Sequence, residues 1–332
     1  MNTKLDNKIA FESSCEDYVL RTEANALSSP RWHEFNEAKW GVKTHKIAVS
    51  ESAKKYPCIE GTFFLNKKNQ IVQPPLNAYT PILFKSTPTN SPRRLYHQRS
   101  RLSEKLIHHM LDIGVSNNVL FLPTDYTDVR PWKWANFDVG VRYTFLMNFP
   151  YSIEKAGPSV RSRYRKLCQN GFRVERTNDM SLIYNCLIET EIRNGFSHSL
   201  SLKDLELAQD IMGEDMMRSY VTYSPDGKPV SGSVVLHKEN GRGISWLVGY
   251  KRDYAQDSPN TLMDVFCFSD LHKAGATGID LVGANMKSVA DNKAAWGGEM
   301  VPYYTIELNS WKTVARSIRD YVRCKNTLRS KV

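Results

Sequence analysis

The sequence predicts a mixed α/β fold in which a mostly antiparallel sheet contains a strand–helix–strand crossover and is flanked by helices. Three segments rich in β-forming residues, MRSYVTYS, PVSGSVVLHK and GISWLVGY, follow one another in the second half, with a turn at residues 225–228. This order is typical of an antiparallel meander. A helix beginning at Ser258 and the strand GIDLVGA come next, and such an order joins two parallel strands by a crossover helix.

The first half has fewer clear elements. Residues 85–94, KSTPTNSPRR, are rich in Ser, Thr, Pro and Arg and predict a loop. A helix is expected over residues 97–113, a short buried strand over 119–122 and a longer strand over 141–149. Proline and glycine interrupt the pattern after residue 149, so we place the middle of the molecule there.

The second half is richer in helix signals. Ser159 is expected to cap a basic helix, and apolar stripes predict helices over residues 181–193 and 203–212. In the crossover helix, Ser258 is expected to cap the first turn and Pro259 to occupy the first helical position. The apolar spacing predicts that the inner face of this helix consists of Leu262, Val265, Phe266 and Ser269.

These elements divide the chain into three parts. Residues 1–155 are expected to form a first unit, residues 156–310 a second, and residues 311–332 a basic C-terminal helix. Residues 311–323 of that helix carry an apolar stripe against a basic remainder. We expect the stripe to dock on the second unit, and contact of the basic face with an anionic membrane is the alternative.

The chain of 332 residues carries a net charge of +10. This balance favours polyanionic partners, such as a phosphorylated cofactor, a nucleotide- or lipid-linked sugar, tRNA or an anionic membrane face. Basic residues are concentrated at 161–176 and 312–331. Each cluster has two interpretations, a solvated helix face or an anion-binding surface.

The remaining composition bounds the class of protein. A hydrophobic content of 41% indicates a globular chain and excludes general disorder. No secretory leader or membrane-spanning stretch is recognisable, so we expect a cytoplasmic protein, with the inner face of the membrane as the place of any peripheral contact. Six cysteines lie far apart without a C-x-x-C pair, which indicates reduced thiols and neither a disulfide framework nor a metal site.

From about residue 161 to residue 307 the chain resembles the GNAT-like families that include the Fem aminoacyl ligases and the acetyltransferases of polysaccharide and cell-envelope operons. The matching segments are RSRYRKLCQNGFRV, GKPVSGSVVLHKENGRGISWLVGY, KRDYAQDSPNTLM, AGATGIDLVGA and NKAAWGGEMVPYY. In the first half DVRPWKWANFDVGVRYTFLMNF, with the pair Tyr143-Thr144, is similar to the tract that closes the first lobe in those proteins. The resemblance implies an acyltransferase with two tandem GNAT-like lobes, the first degenerate and the second carrying the acyl-donor site.

Two departures from the family concern the donor. Asn292 precedes Lys293 where the family usually has an aromatic residue. The glycine-rich pyrophosphate loop of standard acetyltransferases is absent between Tyr250 and Ser258. The resemblance implies acyl-CoA, first of all acetyl-CoA, as a co-substrate without a tightly bound cofactor. The missing loop leaves aminoacyl-tRNA as the alternative donor.

The best phosphate site in the sequence is the start of the crossover helix. Backbone N–H groups and the helix dipole favour anions at such a position. The candidates for binding the donor are Lys251, Arg252, Ser258, Asn260 and Thr261. This site requires the strand that contains Trp246 to diverge from its parallel neighbour and to leave a notch lined by amides. The alternative is an ordinary capped helix.

Four residues are catalytic candidates. Asp280 lies in an apolar strand, where it either faces solvent or occupies a cleft with a raised pKa suited to a general base; alternation turns it away from Ile279 and Leu281. The resemblance places Lys293 near the reacting centre, although a surface lysine is the alternative. Tyr254 is a candidate acid for the leaving group. His198, on a loop, is an alternative base because imidazole titrates near neutrality.

Basic and aromatic residues complete the predicted site. The candidates for substrate binding are Arg161, Arg165, Lys166, Tyr143, Glu299 and Tyr303. Arg161 and Arg165 are four residues apart and share one helix face, as binding of an anionic acceptor or a tRNA backbone requires.

Three functions agree with these observations. The first is transfer of an acyl group from acyl-CoA to an amine of an amino sugar or of a small or lipid-linked envelope precursor, by direct attack in a ternary complex. The second is a Fem-like ligase that uses aminoacyl-tRNA. The third is a non-catalytic basic module that binds nucleic acid; it would tolerate replacement of Asp280 or Lys293. The sequence lacks a DNA-binding motif, so no DNA partner is expected.

Overall fold

The computed structural model describes residues 26–50, 58–85, 89, 91–116 and 118–309. The helix expected over residues 311–323 and the basic residues at 312–331 lie outside these ranges. Within the described ranges, helices flank a four-stranded sheet and an eight-stranded mixed sheet. The mixed α/β class predicted from the sequence is confirmed.

The first half has more regular structure than its sequence predicts. Its elements are α1 (Pro30–Trp40), β1 (Lys43–Val49), β2 (Ile59–Leu65), β3 (Ile71–Val72), β4 (Ile82–Phe84), α2 (Pro92–Ile113), β5 (Leu120–Phe121), α3 (Arg130–Trp134) and β6 (Phe137–Asn148). Helix α2 begins at Pro92 rather than at residue 97, because Ser91 Oγ accepts a hydrogen bond from the Arg94 amide and caps the first turn. Residues 92–94, at the end of the predicted loop, therefore belong to the first turn of α2.

The second half follows the predicted order. Its elements are α4 (Pro158–Gln169), β7 (Arg173–Arg176), α5 (Met180–Asn194), α6 (Leu202–Met212), β8 (Met217–Tyr223), β9 (Pro229–Leu236), β10 (Arg242–Tyr250), α7 (Asn260–Lys273), β11 (Gly278–Asp280), α8 (Lys287–Ala294) and β12 (Glu299–Leu308). The predicted cap of α4 is wrong. Gly157 rather than Ser159 precedes the first residue of α4, because Pro158 already occupies the first helical position.

The meander and the crossover are both present. Strands β8, β9 and β10 pair antiparallel in sequence order. Strand β10 then pairs in parallel with β11, and α7 connects the two. In the first half the corresponding contact is a single parallel bridge between Ile71 and Val115, on either side of α2.

The eight-stranded sheet joins the two halves by exchanging strands. Its order is β5-β12-β6-β11-β10-β9-β8-β7. Strand β6 from the first half therefore lies between β11 and β12 from the second, and it pairs antiparallel with both. The pairing with β12 extends from Glu299 to Leu308, along the full length of that strand. This exchange brings the site residues of both halves together.

Helices cover both faces of the β8–β11 part of the sheet. On one face, α1, α5 and α6 bury Phe35, Ile183 and Leu205 against Val234 and Ile244. On the other face, apolar side chains of α4 and α7 pack with Trp296 against Val235 and Ile279. None of the helices in the described part of the chain combines the length and the apolar character that crossing a bilayer requires.

Candidate functional site

The two parallel strands of the crossover separate soon after they pair. Strand β10 contacts β11 only from Arg242 to Ile244, opposite Gly278 to Asp280. Strand β11 ends there, whereas β10 continues to Tyr250 with a bulge between Ser245 and Leu247, at Trp246. The divergence predicted at Trp246 is therefore present, and it opens a gap in the sheet.

Two charged side chains hold the turn that ends β11. Val282 and Gly283 adopt positive φ angles of 48° and 67°. Asp280 Oδ1 accepts a hydrogen bond from the Val282 amide at 2.8 Å. Lys293 Nζ donates to the carbonyls of Leu281 (2.6 Å), Val282 and Gly283 (3.0 Å). The ammonium group uses its three donors on backbone oxygens, so Lys293 fixes the path of the chain at the gap.

The gap opens into a cleft of about 440 Å³ beside the first turns of α7, which we call the α7 cleft. Its walls come from β10, β11, α7, α8 and the end of α5. Five predicted site residues line it, namely His198, Ser258, Asn260, Thr261 and Lys293. Arg163, Asp264 and Phe196 also line it, and the sequence analysis did not select them.

The start of α7 differs from the prediction. Ser258 has a positive φ of 54°, and no side chain caps the helix; the Ser258 hydroxyl lies 3.5 Å from the Ala255 carbonyl instead. The amides of Thr261 and Leu262 donate to the carbonyls of Ser258 and Pro259 within the turn, so they are not free for a phosphate. Among the described residues, the buried Oδ1 of Asn260 has no hydrogen-bond partner.

A carboxylate orients His198 in the cleft. The Nδ1 atom of His198 lies 2.7 Å from Glu191 Oε1, and the backbone amide of His198 donates to the same oxygen at 2.9 Å. Because a carboxylate accepts, we assign the proton to Nδ1, which leaves Nε2 as the basic nitrogen. Glu191 lies on α5 and is 8% exposed. A pair of side chains formed across a loop gives no signal in the sequence.

Asp264 is the acid of the α7 cleft. Burial raises the pKa of its carboxyl group to about 7, and the charge of Lys293 opposes this shift. Burial likewise lowers the pKa of Lys293 to about 8. The predicted inner face of α7 was wrong: the helix buries Thr261, Met263, Cys267, Phe268 and Leu271, whereas Phe266 is 39% exposed. Asp264 stands at helical spacing from Asn260 and Cys267, and this spacing was the signal available in the sequence.

Asp280 lies on the other face of the sheet. Ile279 and Leu281 line the α7 cleft, whereas Asp280 lines a separate cavity of about 300 Å³. Its carboxylate accepts hydrogen bonds from Tyr79 Oη (2.7 Å) and Thr144 Oγ1 (2.6 Å). Burial raises the pKa of Asp280, and these hydrogen bonds oppose the increase. The alternation of the strand thus places the Asp280 carboxylate outside the cleft that His198 and Lys293 line.

A further cavity lies across the gap from the α7 cleft. It has a volume of about 240 Å³, and we call it the opposite cavity. It shares Ser245, Trp246 and Val282 with the α7 cleft. Arg142 and Tyr303 line its far side. The two spaces therefore meet at the point where β10 and β11 separate.

The other predicted site residues line neither space. They are Lys251, Arg252, Tyr254, Arg161, Arg165, Lys166, Tyr143 and Glu299. Tyr254 packs its ring against Phe172 with centroids 6.4 Å apart, which turns it away from the expected acid position. On α4, the residue that reaches the cleft is Arg163. Arg161 and Arg165 lie on another side of the helix, two residues away in either direction.

The sequence of this region matches a known domain family. Residues 159–290 match the acetyltransferase (GNAT) domain. The match extends from α4 into α8. The matched residues carry most of the lining of the α7 cleft, and the acyltransferase class predicted from the sequence is confirmed. A comparison with curated proteins finds no sequence match.

Solved structures are similar over most of the chain. The crystal structure of FemX superposes with a TM-score of 0.63 at 12% identity and covers 86% of this chain and 93% of its own. L-PGS from Bacillus licheniformis gives 0.52 at 11% identity, with 89% and 96% covered. The C-terminal domain of a protein provisionally named a lysylphosphatidylglycerol synthetase, from Agrobacterium fabrum, gives 0.54 at 11% identity, with 84% and 88% covered. At these identities the similarity concerns the fold.

Proposed function

We propose that the chain is an N-acyltransferase that holds an activated acyl donor in the α7 cleft and passes the acyl group through the gap between β10 and β11. The acceptor amine then lies in the opposite cavity. The observation that carries this proposal is the sharing of Ser245, Trp246 and Val282 by the two spaces. A donor and an acceptor on opposite faces of one sheet can thereby meet without a covalent enzyme intermediate.

The chemistry requires two proton transfers. The amine nitrogen attacks the carbonyl carbon of the donor and loses a proton, and the leaving thiolate or alkoxide gains one. His198, whose Nδ1 is held by Glu191, is our candidate for the base. Asp264, whose pKa of about 7 keeps much of it protonated at neutral pH, is our candidate for the acid. The contacts of Lys293 and Asp280 support positioning roles at the turn that ends β11.

An acyl-CoA, first of all acetyl-CoA, is the preferred donor because it is the usual co-substrate of the matched domain family. The acceptor we propose is an amine of an amino sugar or of a cell-envelope precursor, which rests on the resemblance to families of that kind. The group of the α7 cleft that suits a phosphorylated donor is Arg163, whose buried Nε–H has no hydrogen-bond partner among the described residues.

Aminoacyl-tRNA is the second candidate donor, and a specific observation favours it. The Thr261 and Leu262 amides are already engaged within the turn, which weakens the pyrophosphate site that coenzyme A would use. Arg165 and Lys166 are exposed on α4 outside the cleft, where a polyanion backbone has access to them. The similarity to FemX over 86% of the chain agrees with this donor.

Blocking the gap tests the proposed path. Ser245→Phe places a bulky ring between the α7 cleft and the opposite cavity. We expect acyl transfer to fall by about a hundredfold or more, because displacing reacting groups by about one ångström has an effect of that size. Ser245→Ala, which keeps the gap open, is the matched control. Transfer is measured as thiol release from acetyl-CoA with amino sugars, and in parallel as aminoacyl transfer from charged tRNA.

Calorimetry completes the test by measuring donor binding to the same variants. Donor affinity should change little in Ser245→Phe, because Arg163, the proposed phosphate contact, is unchanged. Undiminished transfer by Ser245→Phe would contradict the path through the sheet. Absence of saturable binding and transfer with both donors in the wild type would contradict the function itself.

Arg163 gives a separate prediction about donor binding. Loss of one charge-assisted hydrogen bond to a phosphate costs about 1.5–3 kcal/mol, so Arg163→Gln should raise the donor Kd about tenfold or more. Arg165→Gln is the matched control, since Arg165 is on the same helix, is exposed and lies outside the cleft. Equal effects of the two substitutions on Kd, measured by calorimetry, would show that Arg163 contributes only its long-range charge.

A further inference from the structure

A separate cavity of about 540 Å³ lies at the C-terminal end of α7, and we call it the His237 cavity. It is bordered by Ala274 after α7, by His237 after β9 and by the first residues of α1. Helix α7 has 14 residues and is about 21 Å long, which separates this cavity from the α7 cleft at its other end. The two spaces share no lining residue.

Three residues of the His237 cavity carry a buried polar atom without a hydrogen-bond partner in the described part of the chain. They are Ser28 with its Oγ, Arg218 with its Nε and His237 with its Nδ1. His237 is only 3% exposed. An unpaired buried polar group costs about 1–3 kcal/mol, and most such groups in folded proteins have partners. Three of them around one cavity leave hydrogen-bonding capacity for a bound molecule.

The charges around the cavity define the ligand. Arg31, Arg218 and Lys238 are its cations, and Asp215 and Glu239 are its carboxylates. Asp215 pairs with Arg31 at 2.5 Å, and Asp270 on α7 pairs with Arg218 Nη1 at 2.7 Å, while Lys238 is exposed. Helix α1 also begins at this cavity, and no side chain caps its first turn. The positive end of its dipole therefore adds to an excess of hydrogen-bond donors.

We propose that the His237 cavity binds the oxyanion, phosphate or carboxylate, of a small organic molecule. An oxyanion accepts hydrogen bonds and matches Arg218 Nε–H, the Ser28 hydroxyl and Lys238. The volume exceeds that of a lone anion and lies in the usual range of small-molecule sites, so it accommodates an organic part as well. This inference does not depend on the acyl-transfer chemistry in the α7 cleft.

Binding should be coupled to proton uptake by His237. The ring bonds to the Ala274 carbonyl, and since Nδ1 has no partner we assign that bond to Nε2–H. Burial, followed by the charge of Arg218, lowers the pKa of His237, while Asp270 and Glu239 act in the opposite direction. The neutral ring therefore presents a bare Nδ1, which must gain a proton to donate to an oxyanion. Affinity should consequently rise as the pH falls toward 6.

Calorimetry of the full chain tests the proposal, with inorganic phosphate and acetate as probes at constant ionic strength set by chloride. The measurements are made at about pH 6 and about pH 7.5 in buffers of different ionisation enthalpy. We expect saturable binding with proton uptake. The uptake is determined with acetate, which is ionised at both pH values, because inorganic phosphate itself exchanges a proton between them. His237→Gln should weaken it about tenfold or more and Lys238→Gln about threefold or more. His108→Gln, at an exposed position of α2, should leave it unchanged. The tighter of the two probes identifies the oxyanion.

The outcomes separate a binding site from a structural role. Failure of both anions to bind saturably would overturn the proposal, and so would wild-type affinity in His237→Gln. Thermal unfolding shows whether His237→Gln folds. If it does not fold, the test uses the exposed Lys238→Gln variant and the proton uptake of the wild type. Wild-type affinity in Lys238→Gln, together with binding to the wild type without proton uptake, would then overturn the proposal.

Discussion

Replacing His198 with glutamine is expected to lower kcat/KM by about 10²–10⁴-fold, the usual contribution of a general base. Glutamine keeps a polar group near Glu191 but cannot take the proton that the attacking amine releases. Donor binding should persist, because Arg163 and the start of α7 remain in place. Stopped assays of acyl transfer at saturating donor measure the loss, and His109→Gln, at an exposed position of α2, is the control.

Glu191 provides the companion variant. Glu191→Gln leaves the imidazole intact but removes the carboxylate that fixes its Nδ1 proton at 2.7 Å. A positioning role predicts a smaller loss in kcat than in His198→Gln, with KM nearly unchanged. Glu191→Asp should recover activity to the extent that the shorter carboxylate still reaches the ring. If His198→Gln retained full activity, the base would have to be sought on the other face of the sheet, where Asp280 lies.

Replacing Asp264 with asparagine is the second change of large expected effect. The amide cannot protonate the leaving group, so kcat should fall by about 10²–10⁴-fold. The pH dependence of acyl transfer tests whether this carboxyl group acts as an acid. Because the acid must be protonated and its pKa is about 7, wild-type activity should decline as the pH rises through 7 and above. This alkaline limb should be absent from the residual activity of Asp264→Asn.

Asp253→Asn is the matched control for Asp264, since it is exposed on the loop before α7 and does not line the cleft. A pH profile of Asp264→Asn with an unchanged alkaline limb would assign that limb to another group. Lys293, with a pKa lowered to about 8, is the nearest alternative. Its three bonds to the Leu281, Val282 and Gly283 carbonyls would then have to break during turnover.

The crossover could be predicted because its signals are local. The β-rich meander and the polar break before α7 depend on neighbouring residues, and the structure has them in the expected order. The gap at Trp246 could be predicted for the same reason, from the parallel pair that this order implies. Lys293 and the first residues of α7 consequently line the cleft as the sequence suggested.

The rest of the site depends on rotation and on contacts between distant residues. The observed buried face of α7 differs from the predicted one. Phe266 is exposed and Asp264 lines the cleft, although both lie in one apolar stretch. Arg163 rather than Arg161 or Arg165 reaches the cleft because the packing of α4 on α7 selects one of its faces. Hydrophobic spacing predicts that a helix has a buried face more reliably than it predicts which residues lie on that face. The Glu191–His198 pair joins the end region of α5 to the loop that follows it, so no helical or strand spacing marks it in the sequence.

The exchange of β6 and β12 has a consequence for biosynthesis. A ribosome releases β6 long before β12 and β11 exist, yet these two strands supply the partners for both of its edges. A nascent chain that stops near residue 155 would therefore expose an unsatisfied strand on each side of β6, and such edges favour self-association. The amino-terminal portion cannot mature as an independent module during translation, because its sheet is completed only when the distal segment emerges.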